Sequence, residues 1–105
     1  MDKRVRPLAE SVGSDFVIPC DVGLEPGDSD PASVDAVFEA IGKRWGGLDF
    51  IVHAIAFSDK DELKGRYVDT TKANFQRSLT ISCYSFTEIA RRALPDEIAS
   101  MILYL

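Results

Sequence analysis

The ten residues "LDFIVHAIAF", Leu48 to Phe57, constrain this chain more than any other feature, because the run is almost continuously apolar and lacks the alternation of a strand with one wet face. A segment of that kind is expected to be a strand covered on both faces, which is the pattern of parallel sheets. It passes at once into the charged, irregular stretch "SDKDELKGRY", Ser58 to Tyr67. In an α/β sheet the ligand crevice lies beyond the carboxyl ends of the strands, so the residues that follow this strand are expected to belong to a site.

The flanking segments extend that reading. "DFVIPC", Asp15 to Cys20, is a short apolar run leading into the Gly/Pro/Asp-rich residues Gly23 to Asp30, and reads as a first buried strand entering a loop. Asp30 is placed to cap a helix with Pro31 at its first position; Val34, Val37, Phe38, Ile41 and Trp45 then share one face until Gly46 and Gly47 end it. From Thr71 to Ala93, Phe75, Leu79, Phe86, Ile89 and Ala90 recur with helical period, and Arg91 and Arg92 suit the negative end before Pro95. "SMILYL", Ser100 to Leu105, reads as a third strand. The succession strand, helix, strand, long helix, strand is βαβαβ, for which a parallel α/β sheet with right-handed crossovers and flanking helices is the expected solution.

Composition narrows the function classes. At 105 residues, with 46% hydrophobic side chains, the chain suffices for one small domain with a modest core. Its net charge is −5 and its basic residues are scattered, which argues against a nucleic-acid or membrane-surface footprint. The two cysteines, Cys20 and Cys83, are far apart and suggest neither a disulfide framework nor a zinc site, so a reduced, cytoplasmic protein is expected. No apolar run reaches the roughly 20 residues needed to span a bilayer, and Met1 opens a charged segment rather than a signal peptide. There is no internal repeat and no low-complexity segment.

The candidate site is therefore assembled from strand ends: Asp21 and Val22 after the first, Ala54 to Ser58 after the second, Tyr104 and Leu105 at the third. Small side chains at Ala54 and Ala56 let a flat ring or a sugar approach the backbone. Each feature also has a plainer reading. Asp21 alone suits a turn or cap, and Tyr104 alone suits a core or edge aromatic. His53, within an apolar run, is expected to be packed and hydrogen-bonded rather than catalytic. Cys83 is expected to pack, since no base stands at a readable spacing from it. The acidic "DKDEL", Asp59 to Leu63, reads as a solvated loop rather than a metal site, and its "KDEL" is internal.

At these positions the sequence resembles the NADH-dependent enoyl-acyl-carrier-protein reductases of the short-chain dehydrogenase/reductase superfamily. The resemblance is carried by "CDV" (Cys20 to Val22), "LDFIVHAIAFSDKDELKGRY" (Leu48 to Tyr67) and "ISCYSFTEIARRA" (Ile81 to Ala93), and it covers nearly all the chain apart from Gly23 to Asp30. The middle block is the specific one, since other branches of the superfamily tend to carry an Asn-Asn-Ala-Gly type motif where this chain has "HAIA". The resemblance implies a partial Rossmann-like domain over residues 1–105 that binds NADH. Asp21 and Val22 would contact the adenine, Asp21 through the exocyclic amine; Ala54, Ile55 and Ala56 would line the ribose and nicotinamide path. Phe57 and Leu63 would border the acyl substrate, an enoyl thioester on acyl carrier protein, and Tyr104 would present a catalytic hydroxyl to it. Hydride transfer to the β-carbon of a trans-2-enoyl thioester is the implied reaction, and a homotetramer the implied assembly of the complete family.

Several departures accompany the resemblance. Leu103 precedes Tyr104 where the family has Thr or Ser, the stretch Gly23 to Asp30 is longer and more polar than the family's connection, and "ALPDEIASMILYL" fits it loosely. Neither the glycine-rich turn that cradles a pyrophosphate nor the family's Tyr/Lys pair is present, so an internal fragment or truncated gene product is expected, inactive alone. In the superfamily's strand order the second and third strands of this chain are neighbours and are expected to pair in parallel. A non-catalytic nucleotide-binding or dimerisation remnant, and an unrelated doubly wound module of flavodoxin-like type, are the alternative readings.

Overall fold

The computed structural model describes residues 2–94 and the backbone of 102–104. In chain order the elements are α1 (Asp2–Ser11), α2 (Val34–Trp45), β1 (Phe50–Val52), 3-10 turns at Lys60–Leu63 and Tyr67–Asp69, α3 (Lys72–Leu79), a π turn at Thr80–Tyr84, α4 (Ser85–Ala93) and β2 (Ile102–Tyr104).

β1 and β2 pair in parallel with Phe50 opposite Ile102, Ile51 opposite Leu103 and Val52 opposite Tyr104. This is the expected adjacency of the second and third strands. The first strand is a correction: Asp15–Cys20 carries no strand ladder. A strand is defined by its partner, and no described segment lies alongside these residues to take their N–H and C=O groups. Phe16 packs instead on the last turn of α2, its ring edge-on to Trp45 with centroids 5.0 Å apart and the Arg44 guanidinium 5.3 Å away. Among the described residues the sheet is thus two-stranded, and the βαβαβ succession is reduced to its second half.

The expectation of a strand covered on both faces also needs correction. Ile51 packs against the cluster of Val22, Val34 and Ile89, with Phe38 and Ile81 beside it, while Phe50 and Val52 are 61% and 67% exposed. Ile51 thus faces α2 and α4, and Phe50, though largely exposed, lines a cavity with Val34, Val37 and Ile41 of α2.

Helix α2 begins three residues later than expected. Asp30 is not its cap: its Oδ1 accepts the Ala32 N–H (2.8 Å) and its carbonyl the Ser33 N–H (2.9 Å), closing a turn with Pro31 at the second position. Ser33, buried, is the cap, its Oγ accepting from the Ala36 N–H at 3.2 Å. Gly46, at φ 76°, ends the helix as expected, its N–H donating to the Gly42 carbonyl.

The long helix starts where the helical period predicts, capped by Thr71 with its Oγ1 accepting the Asn74 N–H, but it is not uninterrupted. At Thr80–Tyr84 the ladder slips by one residue, so that the Ser85 N–H reaches the Thr80 carbonyl. Ser85, Glu88, Ile89 and Ala93 then form the buried face of α4 against α2, tied at the edge by Arg92 to Asp35 at 3.0 Å. Pro95 lies outside the described residues, as do Ser100, Met101 and Leu105 of the third expected strand. Helix α1, which spans the charged opening of the chain, was not expected from the sequence.

Candidate functional site

Asp21 follows the Phe16 segment and is anchored by its backbone, whose N–H donates to the Ala32 carbonyl at 2.7 Å. Its Oδ1 accepts the Gly23 N–H at 2.8 Å, and Oδ2 has no partner among the described residues. The carboxylate is exposed and borders an open groove of about 350 Å³ together with Gly23, Glu25, Arg77, Thr80 and Ile81. A Cβ on Gly23 would stand 3.1 Å from Asp21 Oδ1 and 3.5 Å from Ile81 Cδ1, so glycine lets the turn lie close against the helix. Val22 turns the other way: its side chain is 6% exposed and belongs to the core. The Val22 N–H has no partner among the described residues.

Ala54, Ile55 and Ala56 follow β1 and are exposed. The chain is then gripped by the long helix. Ser82 Oγ accepts the Phe57 N–H (3.0 Å) and donates to the Phe57 carbonyl (3.3 Å). Asn74, buried, accepts the Asp59 N–H through Oδ1 (2.9 Å) and donates to Ser58 Oγ (3.3 Å). Farther along, Glu62 accepts from the N–H and hydroxyl of Thr71. Asn74, Ser78 and Ser82 stand four residues apart, so a helix presents them as one polar stripe to the loop. That spacing was the available signal for Asn74 and Ser82, which the strand-end reasoning did not select; Arg77 and Ile81 share a second stripe at the same interval.

The remaining expected residues fall around this helix. Arg77 lies over the Phe57 ring, 4.7 Å from its centroid. Leu63 is on the other side, in a hollow of about 380 Å³ shared with Ser58, Tyr67, Asn74 and Leu79. Phe57 therefore stands beside the Asp21 groove rather than in the Leu63 hollow. Tyr104 is placed by its backbone opposite Val52, the last residue of β1. His53 is packed as expected, its ring edge-on to Phe86 and Nε2 hydrogen-bonded to Ser85. Burial, then the neighbouring Asp21 carboxylate, pushes the Cys20 thiol above its ordinary pKa. Among the described residues no three His, Cys, Asp or Glu side chains gather as a metal site, and no helix is long and apolar enough to cross a membrane.

An adenine ring requires an acceptor for its amine and an apolar surface for its face. The open Asp21 oxygen and Ile81 supply both, in a groove of ordinary ligand-site volume, so the residues present fit the adenine part of a dinucleotide. Paired parallel strands with helices packed against them are a partial Rossmann-like α/β arrangement. The chain belongs to the enoyl-(acyl carrier protein) reductase family, whose model matches residues 1–103.

Its relatives include enoyl-[acyl-carrier-protein] reductase [NADH] 2 of Rhizobium meliloti, 62% identical over 93 residues, covering 89% of this chain and 32% of that protein. The enoyl-[acyl-carrier-protein] reductase [NADH] FabI of Rickettsia felis is 50% identical, covering 89% and 34%. Among solved structures, the reductase of Anaplasma phagocytophilum in complex with NAD superposes with a TM-score of 0.75 at 57% identity, over 90% of this chain and 34% of that one. The NADH reductase of Aquifex aeolicus gives 0.77 at 39% identity, over 90% and 35%. The chain spans about a third of the length of the curated relatives it matches.

Proposed function

We propose that these 105 residues form one partial dinucleotide-binding domain of an NADH-dependent enoyl-acyl-carrier-protein reductase acting in cytoplasmic fatty acid biosynthesis. The observation that carries the reading is the Asp21 groove, whose lining combines a carboxylate with one unpartnered oxygen and the apolar Ile81, in a chain of this family. NADH, when bound, supplies hydride to the β-carbon of a trans-2-enoyl thioester carried on acyl carrier protein. In this reading Asp21 accepts the adenine amine, and the Val22 N–H faces the adenine ring. The exposed backbone of Ala54, Ile55 and Ala56 lines the path of the ribose and nicotinamide; their small or modest side chains keep that path open. Leu63 borders the acyl chain from the hollow it shares with Tyr67 and Leu79, whereas Phe57, expected to share that role, stands beside the Asp21 groove instead; Tyr104, at the register position beside the end of β1, supplies a hydroxyl to the substrate side. The exposed Phe75 and Leu79 of α3 suit burial against another subunit of a homotetramer.

The test is titration of the purified chain with NADH, followed by an assay of NADH oxidation with a crotonyl thioester. Saturable binding that is lost in Asp21→Ala is the expected result. Turnover is expected to be negligible for these residues alone, since one oxyanion donor by itself accounts for about 2.7–4 kcal/mol of transition-state stabilisation and the family's Tyr/Lys pair is not in this sequence. Absence of NADH binding sinks the reading.

A further inference from the structure

We infer that Ser82 is a positioning residue for the nicotinamide half of the cofactor, an inference that rests on the dinucleotide reading given above. Its hydroxyl accepts the Phe57 N–H at 3.0 Å and donates to the Phe57 carbonyl at 3.3 Å. A residue turns its own N–H and C=O to the same side when its backbone is extended, as in the hydrogen-bonded pairs of a sheet. Ser82 therefore acts on Phe57 as a strand partner would, beyond Val52, the last residue of β1.

The residues after β1 run antiparallel to the long helix, with His53 at Ser85, Phe57 at Ser82, and Ser58 and Asp59 at Asn74. The first two anchors bracket Ala54, Ile55 and Ala56, all three exposed. The N–H groups of Ile55 and Ala56 have no partner among the described residues, so the course of this segment is set by its two ends. A segment fixed at both ends in advance loses less freedom when a ligand settles on it than one fixed at a single end. The anchors differ in what else they support. Ser85 is fully buried and also bonds the Ile81 carbonyl, whereas Ser82 is half-buried and spends its hydroxyl on Phe57. Loss of the Ser82 hydroxyl therefore frees the segment and leaves the packing of α4 on α2 in place. Ser82 also lies within the π turn Thr80–Tyr84, a departure from the α-helical ladder of the kind found often at functional sites.

Calorimetric titration with ADP and NADH tests this on the full chain and on Ser82→Ala and Ser82→Thr. ADP carries the adenine half of the cofactor and lacks the nicotinamide. Ser82→Ala should weaken NADH by about tenfold and leave ADP unchanged, and Ser82→Thr, which keeps the hydroxyl, should restore NADH. Amide hydrogen exchange of the free chain gives a second readout: the Phe57 amide should exchange faster in Ser82→Ala, while the amides of α2 keep their parent rates. If Ser82→Ala loses helicity by circular dichroism, Ser82→Cys replaces it: a thiol is a weak donor and acceptor, so NADH should again weaken selectively. An equal loss of ADP and NADH in Ser82→Ala, or no loss of either, overturns the role of Ser82 while sparing the adenine reading. ADP binding as tightly as NADH to the unaltered chain does the same, because the nicotinamide half then gains nothing from the segment. A chain that binds neither overturns both.

Discussion

Nε2 of His53 lies 2.8 Å from Oγ of Ser85, and that hydroxyl sits 2.6 Å from the carbonyl of Ile81. A serine hydroxyl has one proton, and the Ile81 carbonyl can only accept, so the proton goes there and the imidazole donates through Nε2–H. One side chain thereby joins the end of β1, the π turn and α4. The slip at Thr80–Tyr84 places the fully buried Ser85 where it meets both partners.

Ser85→Ala should therefore destabilise the chain by about 1–3 kcal/mol, because it leaves the His53 donor without its acceptor. Urea unfolding followed by circular dichroism measures the loss. The double variant Ser85→Ala/His53→Phe should recover much of it, since replacing both partners by apolar groups removes the unpaired group as well. If the double variant were as unstable as the sum of the two single variants, the hydrogen bond would not be the cause.

These contacts mark the boundary of what could be read from the sequence. Helical period located α2, α3 and α4, and the apolar run located β1, because those signals are local. The π slip is invisible to a period count, and the hydrogen bond expected of His53 had no partner until Ser85 was placed beside it. Asp15–Cys20 failed as a strand because an apolar run says nothing about whether a neighbouring segment is available to pair with it. Asp30 failed as a cap because Asp-Pro also starts a turn, and Ser33, three residues on, was an equally good capping residue. For the site, strand-end reasoning selected Asp21, Ala54 to Ala56 and Phe57, but Arg77, Ile81 and Ser82 come from the facing helix, whose contribution depends on packing.

Asn74→Ala should release the loop after β1 without unfolding the chain. The Asp59 N–H loses its acceptor and Ser58 its donor, at a cost of about 1–3 kcal/mol. Amide hydrogen exchange is the direct measurement: the Asp59 amide should exchange faster in the variant, while the amides of α2 should be unchanged. Uniform acceleration in both would mean that Asn74 supports the whole fold instead.

Cys20 should react slowly with iodoacetamide. Burial, followed by the charges of Asp21 and Glu88, raises its pKa, so less thiolate is present near neutral pH than in an unperturbed thiol. The labelling rate, followed by mass spectrometry against a model peptide thiol, should keep climbing at pH values where the peptide has levelled off. Asp21→Asn should bring the Cys20 profile part of the way back. An unchanged profile in that variant would show that burial acts alone.

Glu88 gives the chain a dependence on pH with a definite sign. Burial, then the Asp35 carboxylate, pushes the Glu88 carboxyl above its ordinary pKa; Glu25 adds to the shift and Arg91 opposes it. The folded form therefore holds the Glu88 proton to higher pH than the unfolded form does. Between the ordinary carboxylate pKa and the raised one, the native state binds more protons, so this group's contribution to stability falls as pH rises. Below that window the carboxyl is neutral in both states and costs nothing. Glu88→Gln removes the titration while keeping the shape, so it should be more stable than the parent at neutral pH and nearly equal to it in mild acid. Urea midpoints measured for both chains from about pH 4 to pH 8 provide the comparison. A Gln variant less stable than the parent at neutral pH would mean that the charged carboxylate makes a favourable contact on α4 large enough to outweigh its burial.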